Sequence, residues 1–212
     1  MKNVIKAIKK FESELTKNKL IIKEKFEFKD QLSESSLIKI QRELQRIEPS
    51  ILDFYELANV LEIKWEATDL EKLKEEMTGR VMINPFSQVV KDWNGVVFFD
   101  SEPTDSAIRK FFPIDFFADE AASGFCTKEG WRNMIYLYQF EGDLVPLQVN
   151  FESYLKLMLL AKGCFYWQYF IIELLQKKEN EVSGRIKKNL PDIFTDFSFS
   201  TFENLFNELR IN

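Results

Sequence analysis

No histidine occurs anywhere in the 212 residues. That absence removes the side chain most used for proton transfer near neutral pH, and with it every Ser-His-Asp or Cys-His arrangement and every imidazole-held zinc. Cysteine is nearly missing too: Cys126 and Cys164 stand far apart, without Cys-x-x-Cys spacing. Two reduced, buried thiols fit this pattern better than a disulfide. Glycine and proline number only 7 and 6, so few long flexible loops are expected. Phosphate-cradling glycine loops are absent, as are an EF-hand loop, an H-E-x-x-H helix and a G-x-S-x-G elbow. No run approaches the roughly 18 uninterrupted apolar residues of a membrane span; the longest apolar stretch, Cys164 to Leu175, is broken by Gln168 and Glu173. The first ten residues carry Lys2, Lys6, Lys9 and Lys10 but no apolar h-region of a secretion signal. A cytoplasmic protein without membrane, cofactor or metal is expected.

Phenylalanine is what the chain has in excess, 21 copies among 45% hydrophobic and 30% charged residues. This is a globular composition with an aromatic core and rings to spare for a partner. Val4, Ile8, Phe11 and Leu15 predict an opening amphipathic helix. Leu20 to Phe28 reads as extended, and Ser35 to Ile47 as a helix stopped by Pro49. Ser50 is placed to cap a short helix with the stripe Ile51, Phe54, Tyr55 and Ala58. Ile63 and Trp65 alternate with charges as a strand. The Thr68 to Glu71 capping box predicts a helix ending at Gly79.

Strands are expected at Val81 to Ile83 and, after the Asn94-Gly95 turn, at Val96 to Phe99. Phe111 to Phe117, interrupted by Pro113, reads as an edge strand or a strand–turn junction, with another short strand at Gly124 to Thr127. Met134 to Phe140 and Leu144 to Val149 form a hairpin. Helices are expected over Phe151 to Lys162, capped by Asn150 and ended by Gly163, and over Cys164 to Lys177. Lys177 to Asn189 reads as a polar linker, and Ser200 to Glu203 as a capping box ahead of Phe202, Leu205, Phe206 and Leu209. Helices, then strands, then helices predict a single α+β domain whose central, mostly antiparallel sheet is flanked by N- and C-terminal helices. The domain spans residues 1–176, with a helical extension at 177–212.

Charge is unevenly spread. Val96 to Glu152 holds ten carboxylates against Arg109, Lys110, Lys128 and Arg132, a net −6, which leaves +1 for the rest of the chain. Such a region repels phosphates and steers a basic protein. Asp115, Asp119 and Glu120 around Phe116-Phe117 admit a carboxylate-dependent enzyme as an alternative, but with no third ligand at diagnostic spacing solvated loop charges beside buried rings are the favoured reading. The lysine-rich stretches Lys2 to Lys10 and Lys17 to Lys25 alternate with glutamates and read as a solvated face, not as a nucleic-acid contact.

Several segments together resemble the SUKH superfamily of bacterial immunity proteins and fungal cell-wall synthesis regulators. Ile47-Glu48-Pro49-Ser50-Ile51-Leu52-Asp53-Phe54-Tyr55-Glu56-Leu57-Ala58-Asn59 resembles its L-P-x-x-hydrophobic-x-x-F/Y helix leading to N-G. Phe111-Phe112-Pro113-Ile114-Asp115 resembles its F-x-P-I/F-D turn, and the hairpin, the helix from Phe151 and Gly163-x-x-x-Trp167-Gln168 complete the likeness. Coverage runs from about Glu34 to Phe170; Glu48 and Val60 depart from the usual Leu and Gly. The resemblance implies a non-catalytic protein that neutralises a toxin effector, often a nuclease, or a regulatory scaffold of the same fold. It places the partner-binding residues at Asp100, Glu102, Asp105, Asp115, Phe116, Asp119, Glu120, Glu141 and Asp143.

Overall fold

The computed structural model describes residues 1–29, 32–33, 35–38, 47–68, 76–131, 133–140 and 142–211. Helix α1 (Lys2–Lys17) buries Val4, Ile8, Phe11 and Leu15, the stripe read from the sequence. Strand β1 (Ile21–Lys29) follows, then a helical turn at 35–38, α2 (Pro49–Tyr55), β2 (Val60–Ala67), β3 (Thr78–Ile83) and the short α3 (Phe86–Val89). Most of the helix expected at Ser35 to Ile47 lies outside the described residues, as does the start of the one expected after Thr68. Strands β4 (Phe111–Ala118), β5 (Ala121–Cys126), β6 (Tyr136–Gln139) and β7 (Leu144–Pro146) precede α4 (Phe151–Leu160), α5 (Gln168–Gln176), α6 (Glu181–Ile193) and α7 (Phe199–Leu209).

The strands form one seven-stranded antiparallel sheet in chain order, β1 to β7, so this is an α+β domain. The chain resolves into two compact units, Met1–Glu27 with Glu62–Val81 and Glu152–Asn212, and Phe28–Leu61 with Met82–Phe151. Their boundaries fall inside strands and at the start of α4, not in a linker.

In the first unit the alternation of β2 turns Ile63 and Trp65 inward. The Trp65 indole donates to the Lys162 carbonyl at 2.8 Å and meets the Phe194 ring at 5.2 Å. The same indole explains Gly79. A Cβ there would lie 1.9 Å from Trp65 Nε1, so glycine serves close packing inside β3 and does not end a helix as expected. Gly163, at φ +58, continues this seam: its carbonyl accepts from Arg80 N at 2.9 Å. The buried Lys162 ammonium reaches Glu14 at 2.5 Å and Asp196 at 2.6 Å, the pairing that a desolvated charge requires.

The expected linker is a helix. Ile186, Leu190 and Ile193 give α6 a buried stripe, and Asn180 with Ser183 forms a capping box at its start. Phe170 gathers Phe197, Phe199 and Phe202 within 5.1 to 5.8 Å, which places aromatic residues of the 177–212 segment in this unit's core. Ser198, not Ser200, is the N-cap of α7, and only Phe202 and Phe206 of its stripe are fully buried.

In the second unit α2 is capped by Glu48, not Ser50, with Pro49 at the first helical position. The Glu48 carboxylate accepts from Ser50 N at 3.0 Å, from the Ser50 hydroxyl and from Phe151 N at 3.1 Å. Glu48 is thus a buried acceptor satisfying three donors. Phe54, Tyr55, Phe86 and Phe151 form an edge-to-face aromatic chain. Strand β4 is internal, paired with β3 and β5, and is neither an edge nor a junction as read. Pro113 is tolerated there because it faces Gly124 beside a register shift, where the ladder is already interrupted. No strand forms at Val96 to Phe99; that segment is a turn with a single bridge between Asn94 and Phe98.

Candidate functional site

The expected binding residues that the structure describes separate into a turn group, a loop group and one buried carboxylate. Asp119 and Glu120 are the two-residue turn between β4 and β5, closed by the Ala118–Ala121 pair. Phe140 N donates to the Glu120 carbonyl at 2.9 Å, which brings the β6–β7 turn beside it and places exposed Asp143 at the same end of the sheet. Glu141 lies outside the described residues. Phe116, read as a free contact residue, is half-buried: it stacks on Trp93 at 5.5 Å and meets Phe140 at 5.8 Å. These rings hold the two turns against the sheet.

Asp100, Glu102 and Asp105 belong to the loop between α3 and β4. Its organiser is Arg109. The guanidinium donates to the carbonyls of Glu102 and Phe99 at 3.0 Å and of Asp100 at 3.1 Å, and lies 5.1 Å from the Phe98 ring. Asn94 donates to the Asp100 carboxylate at 2.9 Å, while Gly95 takes φ +79 with open space around it. The loop therefore has a defined shape, and it holds Val96 and Phe99 outward at 44% and 56% exposure. Sequence reading missed both residues by assigning them to a strand. The signal that could have found them is an apolar run after Asn94-Gly95 closed by Asp100 and Pro103, with Arg109 downstream.

Asp115 is the buried one. It is 0% exposed, and its Oδ1 accepts from Met82 N at 2.8 Å. It therefore contributes no charge to the surface, contrary to expectation, because the irregular register of β4 turns it toward a backbone donor. Burial, and then the charge of Asp115, pushes the Tyr55 hydroxyl well above its ordinary range; that hydroxyl donates to the Asn84 carbonyl at 2.7 Å. Asn59 likewise accepts from Phe86 N at 3.1 Å. Glu48, Tyr55, Asn59 and Asp115 all serve the architecture of this unit.

Asp115 in the sheet interior and Asp119 and Glu120 in the turn do not converge on a common cleft. Among the described residues no group of three or more Cys, Asp or Glu side chains is placed to hold a metal ion, and no helix is long and apolar enough to cross a membrane. A cavity of about 660 Å³ is lined by Lys10, Glu14, Lys17, Phe194 and Asp196, and includes none of the expected site residues. What the acidic turns and the Arg109-held loop offer chemically is a negatively charged, partly apolar surface. Comparison of the chain with protein-family models, curated proteins and solved structures finds no match.

Proposed function

We propose that this protein is a non-catalytic immunity protein that neutralises a cognate toxin effector, a nuclease domain with a basic cleft, by covering it in the cytoplasm. The observation that carries the reading is the gathering of Asp119, Glu120 and Asp143 on adjacent turns at one end of the sheet, over a floor of Phe116 and Phe140. A nuclease cleft must be cationic to hold phosphates, so an acidic face complements it and occupies the place of the nucleic acid. Asp100, Glu102 and Asp105 extend the negative face along the neighbouring loop.

The test is co-expression with a toxic nuclease domain captured by this chain in a pull-down from its native cell. Growth is restored by the unaltered protein. The double reversal Asp119→Lys, Asp143→Lys restores it poorly and raises the Kd in calorimetry about tenfold, roughly 1.4 kcal/mol, with an unchanged melting curve. Failure of the unaltered protein to protect, or equal affinity of the reversal, removes this reading.

A further inference from the structure

Few large apolar side chains stand open to solvent among the described residues, and Val96 and Phe99 share one loop. Leaving much of a phenylalanine ring in water forgoes the gain of burying it, so its outward placement on an ordered loop calls for a partner. The loop is held from within: Trp93 is buried and donates to the Val89 carbonyl at 3.0 Å, and Arg109 clamps three carbonyls. A loop already shaped in this way loses little conformational freedom when something docks on it. Residues 92–105 carry Asp92, Asp100, Glu102 and Asp105, and the two cations against them, Lys91 and Arg109, leave the loop net −2. This charge turns away nucleic acid and anionic lipid alike and selects a cationic protein. An aromatic anchor ringed by charge is the composition of a binding hot spot.

We infer that the loop 92–105 is a preformed docking element for a cationic protein segment carrying an apolar residue. Phe99, flanked by Val96, is its anchor, and Asp92, Asp100 and Asp105 are its charged rim. This rests on the reading that the acidic face binds a basic protein and names the part of that face which makes the central contact. Arg109 is a positioning residue: its side chain donates to the loop's own carbonyls.

A displayed library of random peptides, selected on the whole chain, tests it without knowledge of the natural partner. The expected peptides combine Lys or Arg with one large apolar residue. Synthesised and titrated, they bind Phe99→Ser about tenfold more weakly, or roughly 1.4 kcal/mol, and Phe99→Leu nearly as well as the unaltered chain. Melting temperatures stay unchanged, because the side chain is mostly in solvent. Asp100→Lys with Asp105→Lys also weakens binding and flattens its salt dependence. Selection of no peptide, selection of acidic peptides, or equal binding by Phe99→Ser overturns the inference. Peptides that dock through Phe99 while the chain fails to rescue growth uphold the docking element and sink the toxin reading. Rescue that survives Phe99→Ser but not the Asp119 and Asp143 reversal does the opposite.

Discussion

Cys164 sits in the first unit, its backbone bridged to Gly79, with burial pushing its thiol from an ordinary value near 9 up to about 12. Below pH 9 the thiol is protonated whether the chain is folded or not, and stability is unaffected. Between about 9 and 12 the unfolded chain releases the proton first. Unfolding then gains about 1.4 kcal/mol per pH unit, up to roughly 4 kcal/mol in all. Urea melts taken from pH 8 to 11 should show this loss in the unaltered protein, and Cys164→Ala should lose correspondingly less. Equal slopes in the two proteins would falsify the assignment. The sequence marked this cysteine as a buried, reduced thiol, and the structure has it free and buried. It could not mark Asp115 as buried, since an aspartate between Ile114 and Phe116 reads the same whether it meets water or the Met82 amide. Only the shifted register of β4 decides between them.

Among the elements, the β4–β5 pair carries the tightest constraint. A Cβ on Gly124 would stand 2.1 Å from the Phe112 carbonyl oxygen, in backbone that cannot move aside without breaking the ladder. Gly124→Ala should cost about 3 kcal/mol, measured as a shift of the urea midpoint; a loss below 0.5 kcal/mol would show that the strands separate easily there. The elements legible beforehand were those with a clean period: α1 at three- and four-residue steps, β2 by alternation, and the β6–β7 hairpin by its central Gly142. Those misread had competing local signals. Val96 to Phe99 has strand-forming residues but no neighbouring ladder, so the Phe98 carbonyl accepts from Gly95 N and the Phe99 carbonyl from Arg109 instead. In α6 the lysines and glutamate mask Ile186, Leu190 and Ile193, and Pro191 near the end argues against the helix that Asn180 begins. The acidic character of the candidate site was legible as a count along the chain. Its division into two turns and a separate loop was not, because that depends on which turns the sheet brings side by side.

For the molecule as a whole, the segment after Gln176 matters more than its polar beginning suggests. Removing 177–212 takes Ile186, Leu190, Phe194, Phe197, Phe202 and Phe206 out of the core and uncovers Phe170 and Trp167. Several core side chains at about 2–5 kcal/mol each exceed the stability of an ordinary domain. A chain ending at Gln176 should therefore show no cooperative thermal transition by circular dichroism and should elute as aggregate in size-exclusion chromatography. A cooperative, monodisperse truncated chain would show that the core closes without these helices.

Strand order has a consequence for how such a protein diversifies. The stretch from Asn84 to Lys110 leaves the sheet at β3 and re-enters at β4, its immediate neighbour, paired through Ile83 and Asp115. Between those two points the path is pinned by two rings, Phe86 against Tyr55 and Trp93 against Phe116 of β4. Variation can therefore fall on the outward positions of the excursion, Val96 and Phe99 among them, while these anchors keep the scaffold beneath intact.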